Sequence, residues 1–151
     1  MDILRFGPGF RRPRTREGSQ GVADQTIWSD PRARITELAF SARALIAPQT
    51  SPDLGLFIVV AGGGWVQIGE ERSTIDHGEA VEFPPGVTHG VWTDGSTMRA
   101  ILVEVPDAAL EGVSARAADA AEVTDLTPAR GHLAERELRP EDYEPAEGEP
   151  W

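Results

Sequence analysis

Gly78-Glu-Ala-Val-Glu-Phe-Pro-Pro-Gly-Val-Thr-His-Gly-Val-Trp-Thr93 is the stretch on which the fold turns. Gly78 permits a turn between strands, and Ala80 to Phe83 has the length of a short strand. Pro84-Pro85-Gly86 then makes a stiff corner, because proline fixes φ and glycine accepts the turn conformations other residues avoid. His89 opens the next strand. Alternation with a period of two puts His89, Val91 and Thr93 on the face predicted to point inward, and Gly90 and Trp92 on the other.

Further strand-like segments flank this stretch at short intervals. Downstream, Thr97 to Val105 is a strand, and Asp94-Gly95-Ser96 before it is a hairpin signal joining it to Val87–Thr93. Upstream, His77-Gly78-Glu79 is a turn that leaves His77 exposed. Leu56-Phe-Ile-Val-Val60 is an unbroken apolar run rich in β-branched residues, as a strand covered on both faces requires. Gly62-Gly63-Gly64 is read as a bend where the backbone turns or approaches closely. Trp65–Ile68 and Arg72–Ile75 form a hairpin around Gly69-Glu70-Glu71. Arg34–Ile46 supplies more strand, and strand-like sequence first appears near Gln25–Ser29.

The organisation that follows is an Arg/Gly/Pro-rich arm over 1–21, a β-barrel over 22–106 and an extension over 107–151. The arm is expected to add an edge strand at most. The extension is Ala-rich over Ala108–Ala121, where a short helix fits, and then acidic; His132 lies within it. With 16 Gly and 12 Pro in 151 residues and no long amphipathic stretch, the fold class is all-β.

Composition excludes several functions. There is no cysteine, hence no disulfide framework, thiolate metal site or cysteine nucleophile. A net charge of -11 argues against nucleic acid and anionic membranes as partners. No segment has membrane-spanning length and the first ten residues lack a signal-peptide apolar core, so a cytoplasmic protein is expected. Arg11, Arg12, Arg14 and Arg16 make the arm basic. Either this arm is a solvated tail, or it docks on an acidic surface of its own or a neighbouring subunit.

Gly78 to Thr93 also resembles the second cupin motif: Gly, five residues, Pro, any residue, Gly, two residues, His, three residues and Asn. Here Gly78, Pro84, Gly86 and His89 match, and Thr93 replaces the Asn. The first motif is poorer. The Glu position falls on Gly55, and Gln49-Thr-Ser-Pro-Asp53, where two His would stand, has none. The resemblance spans Gln49 to Val105.

Membership of that family implies an antiparallel jelly-roll barrel with a small-molecule site inside, commonly in a homodimer. A three-His, one-carboxylate centre would hold Fe, Mn, Ni or Zn. With those ligands replaced, no cofactor is predicted; a divalent transition metal would have only His89 with Gln49 or Asp53. The expected ligand-binding set is His89, Thr93, Val91, Gln49, Phe57, Val59 and Trp65, with Gly55 leaving room for the ligand. His89 is the one catalytic candidate, and it reads equally as a hydrogen-bonded barrel histidine. Trp65 and Trp92 fit a ligand rim or a core or subunit contact, and Trp92 on the outer face favours dimer packing. Glu37, Arg43, Glu82 and Arg99 are expected to face solvent.

Three functions remain open. One is a binding protein for a small organic molecule. Another is an enzyme working around His89, either a metal-dependent dioxygenase, isomerase or polyketide-cyclase-like protein, or a metal-free lyase or epimerase. The third is a regulatory or accessory subunit.

Overall fold

The computed structural model describes residues 1–107; the extension beyond them, with its expected helix and His132, lies outside the described residues. Eight strands are present: β1 (Arg12–Pro13), β2 (Ser19–Asp30), β3 (Ala33–Gln49), β4 (Leu54–Ile68), β5 (Glu71–Asp76), β6 (Ala80–Phe83), β7 (His89–Trp92) and β8 (Met98–Val105). Every pairing is antiparallel. The strands roll into a barrel around one apolar core. No helix among the described residues is long and apolar enough to cross a membrane.

The long strands β3 and β4 frame the barrel, and β7 and β8 both lie between them. β7 pairs with the C-terminal ends of β3 and β4, through Ile46↔Val91 and Val66↔Val91. β8 pairs with their N-terminal halves, through Leu38↔Ala100 and Val59↔Ala100. The two therefore follow one another along the same track, and the hairpin expected at Asp94-Gly95-Ser96 does not form. Thr93 N–H and Gly95 N–H still donate to the Ala44 and Ala42 carbonyls of β3, so the chain keeps its direction. Gly95, at φ +93, carries a local outward loop rather than a reversal.

Other turns read from the sequence are present. Ile68↔Glu71 closes the β4–β5 hairpin around Gly69, which has φ +59. Gly62-Gly63-Gly64 does not interrupt the strand; β4 runs through it with a register shift between Val59 and Ala61. The glycine at 62 answers a close approach, since a Cβ there would overlap the Thr97 carbonyl oxygen. β2 starts at Ser19, earlier than its first strand-like residues near Gln25, because its partner β3 is long enough to extend it.

The core is dense with aromatics. Phe40 meets Phe57 edge-on at 6.1 Å, Phe57 stacks on Phe83 at 5.5 Å, and Phe83 stacks on the His89 imidazole at 4.3 Å and 11°. Aromatic pairs at such spacings add about 0.5–1.5 kcal/mol each beyond the area they bury. This column occupies the barrel interior.

The arm is tied down. β1 pairs with β2, as an edge strand, and two of its arginines are held by carboxylates of the barrel. Arg11 forms a forked pair with Glu37, Nη2 to Oε1 at 2.7 Å and Nε to Oε2 at 3.1 Å, and Arg99 Nη2 donates to the same Oε1 at 3.0 Å. Arg14 Nη1 reaches Asp24 at 2.7 Å. Glu37, expected in solvent, is fully buried: the arm covers its side of the sheet and supplies its counter-charge. Of the two readings of the arm, docking on its own chain is the one observed for Arg11 and Arg14.

Candidate functional site

The corner before β7 orients His89. Gly86 N–H donates to the Ser51 carbonyl and Val87 N–H to that of Pro84, fixing the Val87 carbonyl 3.2 Å from His89 Nδ1. A carbonyl only accepts, so Nδ1 carries the proton and Nε2 the lone pair. Burial pushes the His89 pKa below its ordinary value, with the Val87 carbonyl and the Glu104 charge opposing more weakly. The ring is consequently neutral near pH 7 and its Nε2 is an acceptor.

A cleft of about 120 Å³ opens beside His89. Gln49, opposite His89 in register on β3, lines it with Glu104 of β8. Asp53 contributes from the β3–β4 loop, and Arg14 and Arg16 from the arm. Beneath it a chamber of about 20 Å³ is bounded by Phe57, Phe83, Val91 and Arg14. That is room for one water and no organic molecule. The barrel interior, expected to hold the ligand, is instead filled by the phenylalanine column, and the available space is at the mouth.

The fate of the other anticipated residues follows from packing. Phe57 and Val91 form the floor, and Val59 is 1% exposed in the core, away from both spaces. Thr93 is fully used within the fold, its hydroxyl accepting from Ala44 N–H and donating to the Ser41 carbonyl. Trp65 does not join the site. It stacks on Trp92 with rings 6.1 Å apart and 4° from parallel, with the Arg72 guanidinium 5.7 Å from the Trp92 ring, on the opposite side of the sheet from Val91. Gly55 lines the cleft, and a Cβ there would meet Phe83 Cβ and Cδ2 at 3.3 Å.

Among the site residues that escaped the sequence reading are Arg14, Arg16, Phe83 and Glu104. Phe83 and Glu104 carried a usable signal. Met98 and Ala100 face the core, and the same alternation brings Leu102 and Glu104 to the cleft. Phe83 sits immediately before the proline corner, where the strand must end against the interior.

Residues 44–106 match the family model described as a cupin domain. The chain carries a cupin domain. Solved structures share its fold. The polyketide cyclase RemF from Streptomyces resistomycificus superposes with a TM-score of 0.63 at 20% identity, over 70% of this chain and 79% of that one. A protein from Thermotoga maritima described as a predicted oxalate decarboxylase gives 0.63 at 13% identity, over 70% and 99%. A cupin 2 conserved barrel domain protein from Rhodopseudomonas palustris gives 0.59 at 18%, over 69% and 80%. At such identities the likeness is one of fold. A search of curated proteins finds no match to the sequence.

Cupins often bind a metal, and the residues here do not fit one. Among the described residues no three His, Cys, Asp or Glu side chains converge. The cupin carboxylate position is Gly55, against which Phe83 packs, and the ring of Phe83 covers one face of His89. A single imidazole with an amide neighbour, and with Asp53 and Glu104 in the cleft but not converging on one point with it, is a poor donor set for a transition ion.

Proposed function

We propose that this cupin binds a small organic molecule at the barrel mouth through His89 Nε2 and Gln49, without a metal. The observation that carries the reading is the setting of His89: its Nδ1–H is committed to a backbone carbonyl, and the residue lines a cleft with Gln49, Glu104 and Arg16. A few placed polar groups around an apolar floor suit a ligand with hydroxyl or N–H donors. At about 120 Å³ the cleft takes a few-carbon molecule or one end of a larger one. A thermal-shift screen of small polyols, hydroxy acids and amides tests this, because a ligand of the native state alone raises the melting temperature. A hit that disappears in both His89→Ala and Gln49→Ala supports the reading; a hit unaffected by either, or stoichiometric transition metal lost on His89→Ala, overturns it.

A second reading, an enzyme using His89 as general base, is favoured by one specific feature. Nε2 is unprotonated and Glu104 lies in the same cleft, so a proton taken from a bound substrate would leave an imidazolium beside a carboxylate. The accessory-subunit reading loses support, since Arg11 and Arg14 of the arm are engaged by Glu37 and Asp24. Homodimer packing would use the row Leu45–Trp92–Trp65, aligned across three strands and part-exposed; sedimentation of Trp65→Ser as a monomer would support it.

A further inference from the structure

The second space of consequence lies away from His89, and its floor is set by register. Pro13↔Ala23, Ala23↔Ala39 and Ala39↔Arg99 align one row across β1, β2, β3 and β8. The adjacent row, Val22–Phe40–Met98, points into the core, so this row faces out. Its two middle members are alanines. Between the arm on one side and Arg99 on the other they leave a groove, with Gly21, Ser41 and Thr97 extending its floor. Its volume is about 580 Å³, against about 120 Å³ at the His89 cleft. Spaces of roughly 300–1,000 Å³ hold drug-sized molecules.

The charge at the rim is unbalanced. Glu37 answers both Arg11 and Arg99, two guanidiniums on one carboxylate, which leaves one positive charge in excess. Arg14, also at the rim, is balanced by Asp24. Arg11 commits two donors to its forked bond and is 14% exposed. Arg99 commits one of its five N–H donors among the described residues and has a side chain 45% exposed. A cationic rim over a mostly apolar floor, in a chain of net charge -11, selects an anion locally. A bare inorganic anion would leave the floor uncovered; an uncharged amphiphile would leave Arg99 without an acceptor.

We propose that this groove binds a small amphipathic monoanion, a carboxylate with an apolar body, its head on Arg99 and its body over Ala23 and Ala39. The site shares only Arg14 with the lining of the His89 cleft, takes its head and body contacts from Arg99, Ala23 and Ala39, and stands whether or not that cleft binds a ligand.

Calorimetry on the full chain with octanoate, octanol and acetate, below micelle-forming concentration, tests it. Octanoate binds at least about tenfold more tightly than either of the others, since each lacks one half of the recognition, and tenfold is about 1.4 kcal/mol. Arg99→Gln brings octanoate down to the level of octanol, and the fold survives because Arg11 keeps its forked bond to Glu37. Ala39→Leu fills the trough and abolishes binding with the charges untouched. NMR shift mapping places the ligand at the Ala23 and Ala39 methyls and leaves His89 unmoved. Equal binding of octanoate and octanol, octanoate affinity unchanged in Arg99→Gln, or shifts centred on His89 would overturn the proposal.

Discussion

His89 is held from three directions: the Val87 carbonyl takes its Nδ1 proton, the Phe83 ring lies over one face, and Gln49 stands across the ladder. Its depressed pKa makes the unfolded chain take up a proton first as pH falls. The stability it contributes is complete above the ordinary value of 6.5 and is lost below it, down to the lower folded-state pKa. Glu37 acts in a lower window. Its carboxyl is held below its ordinary 4.5 first by the Arg11 hydrogen bonds, so its contribution is present above 4.5 and lost as pH falls through the folded-state value. Melting temperature against pH therefore loses its upper step in His89→Phe and its lower step in Glu37→Gln. An unchanged upper step in His89→Phe would show that another group titrates there. At this scale the sequence was legible in His89, whose inward direction followed from alternation, and silent on Glu37. A charged residue on a strand reads as solvent-facing, and only the folded arm covers Glu37 and turns its side of the sheet into an interior.

Strand elements carry a clear contrast between two glycines. Gly62 and Gly95 both have positive φ, but only at Gly62 would a Cβ overlap neighbouring backbone, at the Thr97 carbonyl just before β8; at Gly95 nothing lies within 4 Å. Gly95→Ala costs about 1–2 kcal/mol, the penalty of the left-handed conformation alone. Gly62→Ala adds displacement of backbone and costs at least about 3 kcal/mol. Urea denaturation separates the two, and equal losses would contradict the close approach. The same elements show where sequence reading stops. The β4–β5 hairpin, the central apolar strand and the corner before β7 were readable because each signal is local. The track shared by β7 and β8 was not, since Asp94-Gly95-Ser96 has the chemistry of a hairpin and what overrides it is pairing of both flanks with β3 and β4.

Over the whole molecule, the arm and the core decide what the barrel can hold. Arg11 and Glu37 do not respond alike to mutation, because the arginine is partly exposed and the glutamate is not. Arg11→Ala strands a buried carboxylate with Arg99 alone and costs about 3 kcal/mol. Glu37→Gln leaves two guanidiniums that reach water and costs about 1–2 kcal/mol. Thermal or urea melts of the pair check the order, and a larger loss in Glu37→Gln would contradict the burial argument. The barrel class was legible as a whole-chain pattern. The filling of the barrel was not, because Phe40, Phe57 and Phe83 come from three separate strands and only the fold stacks them. That filling leaves the open space beside His89 at the mouth, which is where the proposed ligand site lies. Long-range nitrogen–proton NMR of labelled protein, purified without chelators and titrated with zinc, tests this most directly. The account predicts a neutral His89 at about pH 7.5 with its proton on Nδ1, and an Nε2 signal unmoved by one equivalent of metal. An Nε2 signal already at a metal-coordinated position, or moving there at one equivalent, would contradict it.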